Sequence, residues 1–248
     1  MEINVATKWS ELSEWQREII CNLLFKNDDF ERNYSKMLRI LFLKKKRLSD
    51  IFRVAWLFSE VPISELAPYG EFLYKTTDLY DFPDISEKLK TPSIRLNDCT
   101  IKQFSFADAI YYKAATNNWN DLYMRQLVAS LYCLSGKEFD VVDLPKVAKI
   151  TDKISAKKRA RIVFAYLSVR SYIISKYPKI FSANNVSEDE NQPVFRSKKN
   201  KYTPFSKVIS TMVFDEKQPL GNLHDCNRTR IYDFFDIFQE SIIRSQQQ

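Results

Sequence analysis

Only three of the 248 residues are glycine, where an ordinary globular chain carries about 7%. Tight hairpins, bulges and phosphate-cradling loops depend on glycine, because it enters positive φ without steric cost. A chain so poor in it is expected to fold as helices joined by short polar connections, and it makes a poor glycine-rich nucleotide site. Hydrophobic spacing agrees. Apolar residues recur at i, i+3, i+4 along the chain, and sustained alternation hardly occurs. The expected fold is therefore mainly α, an irregular bundle of about eight to ten helices.

Local signals place the helices. Ser13 and Gln16 have capping-box spacing, in which each side chain satisfies an orphan backbone donor, and Trp15, Ile19, Leu23 and Leu24 then form a stripe. Asp28 and Glu31 repeat the spacing before Phe30, Tyr34, Met37, Leu38 and Leu41. Residues 48–59 read as a third helix ended by Pro62, and 63–75 as a short fourth. The stretch from Thr76 to Asn97 reads as a long connection. It has room for a short helix near 86–90 or for a hairpin at "PSIRL". Thr100 and Gln103 open the next helix. "NNWND" turns the chain into another, which is read as running to Gly136 as its C′ residue. A short helix at 143–150 precedes a long one that Pro178 stops.

From Ser182 to Ser206 an acidic run, "SEDENQP", meets a basic one, "RSKKNK". This reads as a polar loop or linker. It separates a main helical domain, 1–181, from a C-terminal helical pair, 207–248, expected to pack on it. The four cysteines (21, 99, 133 and 226) include no CxxC, so no zinc site is expected. The opening "MEINVATKWSELS" lacks the basic and apolar regions of a signal peptide, and no apolar run is long enough for a membrane span.

The charge is +7, with 38 basic residues interspersed among 31 acidic ones. That favours anionic partners through a long-range field without requiring nucleic acid. Three basic tracts are the candidate anion or partner contacts. Lys157, Lys158, Arg159 and Arg161 stand where a helix begins that is apolar nearly all round beyond them. Cations at a helix N-terminus are unfavourable by about 0.3–1 kcal/mol each, and an anion would relieve them. The alternative is a set of solvated cations on an exposed first turn, or a helix that begins near Thr151. Lys44, Lys45, Lys46 and Arg47 close the second helix, where cations suit the dipole. Lys198, Lys199 and Lys201 lie in the polar loop, beside acidic residues that balance them.

Motifs for nucleotide, zinc-protease, hydrolase or kinase chemistry do not occur. His224, the one histidine, adjoins Asp225 and Cys226, but neighbours on a helix rarely face each other. No catalytic residue, metal or cofactor is expected. The order "KWSELSEWQREIICNLL", "RLNDCTIKQFSFADAIYY", "LVASLYC", "YPKIF" and "KVISTMVF" resembles helical proteins encoded among the virion genes of tailed bacteriophages and prophages. "SEDENQPVFRSKKNK" departs from that layout. The resemblance implies a non-enzymatic structural or assembly role at a phage neck or tail. It also implies homo- or hetero-oligomeric partners, and a place in a bacterial cytoplasm or virion. The alternative expectation is a nucleic-acid-binding protein that uses the basic helix ends.

Overall fold

The computed structural model describes residues 5–26, 30–43, 45–75, 78–181, 204–214 and 220–245. Among them are thirteen α-helices: α1 (Glu14–Leu24), α2 (Phe30–Phe42), α3 (Leu48–Glu60), α4 (Ile63–Leu66), α5 (Phe72–Lys75), α6 (Ile101–Thr116), α7 (Asp121–Leu131), α8 (Leu144–Thr151), α9 (Ala156–Lys176), α10 (Pro178–Phe181), α11 (Phe205–Phe214), α12 (Leu223–Arg228) and α13 (Ile231–Ser245). One short antiparallel ladder, β1 (Leu89–Lys90) against β2 (Cys133–Leu134), pairs Leu89 with Leu134 and Lys90 with Cys133. The mainly helical expectation is met.

The centre is α9. The Ser155 hydroxyl caps it by accepting from the Lys158 N–H at 3.1 Å, and every residue from Arg159 to Val169 is buried. Burial on all sides is what an all-round apolar helix demands. α1 and α7 lie along α9, α2 packs on α1, and α6 packs on α7. Trp9, in the 3₁₀ turn before α1, is fully buried with its ring 4.5 Å from that of Phe164. At the far end Phe104, Phe205 and Phe235 form an aromatic knot with centroids 5.4–5.7 Å apart. That knot joins α11 and α13 to α6. A bridge between Thr100 and Arg230 adds backbone bonds, Ile101 N to Thr229 O and Ile231 N to Cys99 O.

Two glutamines perform the same task in different helix pairs. Gln16 accepts from the N–H and hydroxyl of Ser13 through Oε1. Its amide donates to the carbonyls of Ile40 and Leu43, both at 3.0 Å, at the end of α2. Gln103, whose N–H is capped by Thr100, donates to the carbonyls of Ser130 and Leu131 at the end of α7, both at 3.0 Å. Each residue thus helps start one helix and satisfies the orphan carbonyls that finish the next. Gln103→Leu keeps the volume and orphans two buried carbonyls. It is expected to lower stability by about 1–3 kcal/mol in chemical denaturation.

Several boundaries differ from the sequence reading. The α1 face against the core is Gln16, Ile20, Cys21, Leu23 and Leu24, and Trp15 is only half-buried, under Lys46 Nζ at 5.1 Å. The Asp28/Glu31 capping pair lies outside the described residues, because Asp28 does. The fourth helix is broken into α4, a 3₁₀ turn at Ala67–Gly70 and α5. Neither a helix at 86–90 nor a local hairpin forms. β1 pairs with the distant β2, and "PSIRL" makes a 3₁₀ turn. α7 stops at Leu131, and Gly136, at φ 74°, turns the chain after β2. Among the described residues the C-terminal part holds three helices, the first beginning at Phe205, where a pair from 207 was expected. The span 182–203 lies outside the described residues.

Scarce glycine leaves other residues to make left-handed turns. Arg95, Leu96, Asn118 and Trp119 all have φ between 53° and 59°, a conformation that costs about 1–2 kcal/mol for a residue bearing a Cβ. Tertiary contacts hold each pair in place. The Arg95 guanidinium lies 4.7 and 4.5 Å from the rings of Tyr80 and Tyr172, and Tyr232 Oη donates to its carbonyl at 2.7 Å. Trp119 packs 4.8 Å from Phe25 and 5.5 Å from Tyr111.

Asp98 closes the first of these turns, accepting from the N–H and hydroxyl of Ser93 and pairing with Lys90 at 2.6 Å. Burial opposes its ionisation, but Lys90 and Ser93 outweigh that and hold the carboxyl below its ordinary value. Its contribution is therefore present above the unfolded carboxylate value, about 3.9, and is lost as pH falls through the lower folded one. Asp98→Asn should flatten the acid limb of a stability–pH profile by about 1 kcal/mol or less.

Candidate interaction surface

The basic cluster at the start of α9 is largely internal. Lys157 is exposed. Lys158 is half-buried and donates from Nζ to the Asp84 carbonyl. Arg159 is buried, bonded to Asp121 of α7 and, at 3.3 Å, to the Ile154 carbonyl. Arg161 has no exposed surface. It donates to Asp81 Oδ2 at 2.6 Å and to the Asp81 carbonyl at 2.7 Å, with Glu14 at 3.3 Å. Burial opposes ionisation of Asp121, yet Arg125 and Arg159 hold its carboxyl below the ordinary value. The expected contact of Arg159 and Arg161 with an outside anion is therefore corrected, since acids of the chain itself occupy them. They clamp α9 to α1, α7 and the 78–88 connection.

Lys45, Lys46 and Arg47 are exposed between α2 and α3. Lys44, Lys198, Lys199 and Lys201 lie outside the described residues. α2 ends at Phe42, so this tract does not close α2 from within. It stands just before α3, with Arg47 at the N-cap and no side-chain cap there.

α3 is the unusual element. Val54 is buried, and Leu57 and Phe58 pack on the core, with the Phe58 ring 5.9 Å from that of Phe42. At about 100° per residue, Leu48, Phe52 and Trp56 fall on the opposite side. They are 74%, 72% and 60% exposed, with Ala55 also exposed beside them. Scattered exposed leucines are ordinary, but a contiguous apolar stripe with two aromatic rings makes this face the candidate docking surface. Aromatic residues are enriched in the centres of protein interfaces.

No family model, curated protein or solved structure matches this chain. The surface must therefore be read from its own chemistry.

Titratable groups and cavities offer the following. Among the described residues no group of three His, Cys, Asp or Glu could hold a metal ion, and no helix is long and apolar enough to cross a membrane. His224 is exposed while Cys226, two residues on, is fully buried, so they do not pair. Burial raises the thiols of Cys21, Cys99, Cys133 and Cys226 above the ordinary value, which disfavours the nucleophilic thiolate. A groove among α6, α11 and α12, lined by Phe106, Phe139, Ile209 and Leu223, has a volume of about 380 Å³ and gathers only Lys102 as a charged group.

Proposed function

We propose that this chain is a non-enzymatic structural or assembly protein that works through protein–protein contacts. Following the resemblance of its layout, we place it at the neck or tail of a bacteriophage particle, or among the factors that build one. The observation that carries the reading is the outward face of α3. Burying a large apolar side chain is worth about 1.5–3 kcal/mol, so leaving Leu48, Phe52 and Trp56 in water forgoes stability that a partner would recover. The electropositive segment Lys45–Arg47 at one end gives that partner an orientation.

Purified particles of the source, analysed by mass spectrometry, should contain the chain at a fixed copy number. Trp56→Glu should remain folded, with stability within about 0.5 kcal/mol of the parent because the side chain is exposed, and should be missing from the particles. A chain absent from the particles, or a Trp56→Glu chain incorporated as well as the parent, would overturn the reading.

A further inference from the structure

We infer that the partner on α3 is the α3 of a second copy of this chain, laid antiparallel about a two-fold axis near Phe52. This rests on the reading of α3 as a docking face and names its occupant. The stripe is self-complementary. Leu48 and Trp56 stand four residues to either side of Phe52, about 6 Å along the helix. Turning the helix end over end sets Leu48 against the other copy's Trp56, and Phe52 against its own counterpart. An isologous contact requires this symmetry.

Charge selects the same arrangement. Lys45, Lys46 and Arg47 precede α3, Glu60 ends it and Glu65 follows, all exposed. Lys45, Arg47, Glu60 and Glu65 find no ion-pair partner within the described chain. A parallel pair would stack cations on cations. An antiparallel pair brings the cationic start of each helix to the carboxylate at the end of the other. At the start of α3 Arg47 gives no side-chain cap and the cations oppose the dipole, which Asp50 in the first turn offsets only in part, so a second carboxylate there is favourable. Rim charges of this kind set register and partner choice more than affinity.

Sedimentation equilibrium of the full chain should show a dimer with a dissociation constant of about 10 µM or tighter. Phe52→Glu should weaken it by about thirty-fold or more, the scale of a central hot spot, with an unchanged circular dichroism spectrum. Lys46→Glu/Arg47→Glu should weaken the dimer less, and adding Glu60→Lys in the same chain should restore it, because both ends are then reversed together. A parent chain that stays monomeric at about ten times that concentration would overturn the inference. So would a dimer indifferent to Phe52→Glu, or a charge reversal that Glu60→Lys does not rescue. A monomeric parent whose incorporation into particles still depends on Trp56 would refute the second copy as occupant and leave the docking face standing.

Discussion

Glu14→Ala/Asp81→Ala is expected to lower the free energy of unfolding by about 3–5 kcal/mol, the cost of stranding a buried charge. The two carboxylates hold Arg161, which has no exposed surface, and they also pair with Arg17, which is largely covered. Without them the Arg161 guanidinium keeps only the Asp81 carbonyl. Arg161→Met in the parent should cost about 1 kcal/mol, because it fills the volume and returns two half-exposed carboxylates to water. Arg161→Met added to the double variant should therefore recover most of the loss. Urea denaturation of the four chains measures each step. If the double variant unfolds within about 1 kcal/mol of the parent, the clamp does not hold α9 to α1 and the connection.

That experiment bears on how much of the molecule was legible in the sequence. The presence of α9 and its end were readable from all-round apolarity and Pro178, whereas its start at Ala156, capped by Ser155, came from the structure. The roles of Arg159 and Arg161 were not. Spacing within one helix shows where a cation points relative to its neighbours, and says nothing of Asp81, Glu14 or Asp121, which arrive from 38 to 147 residues away. The left-handed turns were hidden for a related reason. Arg95, Leu96 and Trp119 adopt a conformation their own preferences oppose, and Tyr80, Tyr172, Tyr232 and Phe25 hold them there from elsewhere. β1 and β2 are two residues each, too short to carry an alternating pattern.

The candidate surface shows the limit most clearly. Residues 48–59 were recognisable as a helix, and both its faces are apolar in sequence. α9 shares that property, and there it means burial. Composition cannot separate an apolar helix enclosed by its own chain from one enclosed on a single side. The difference is topological. α9 runs between α1 and α7, whereas α3 meets the body mainly through α2, and no described segment returns to cover Phe52. What the sequence did offer was a charge gradient, basic at 45–47 and acidic at 60 and 65. That gradient gains meaning only once the stripe beside it is known to be bare.

Arg170→Ala is expected to cost about 3–5 kcal/mol, and Asp108→Ala distinctly less. The asymmetry follows from burial. Asp108 on α6 is completely enclosed, with Arg170 Nε at 2.6 Å and Tyr166 Oη at 3.4 Å from Oδ1. Its Oδ2 finds no donor among the described residues. Removing Arg170 leaves a carboxylate with no compensating charge in the seam between α6 and α9. Arg170 is one-quarter exposed and stacked 4.8 Å from the Tyr111 ring. If Asp108 is removed, its guanidinium can turn to water and keep the ring. Asp108→Leu/Arg170→Met, which replaces the pair with apolar groups of similar size, should fall within about 1–2 kcal/mol of the parent. A double-mutant cycle in thermal or urea denaturation tests all three, with about 2–4 °C in Tm for each kcal/mol in a chain of this size. Equal losses from the two single alanine variants would show that the pair is worth its Coulombic attraction alone, with no penalty for the stranded carboxylate. The seam between α6 and α9 would then owe its position to the aromatic contacts of Phe104, Tyr111 and Tyr166.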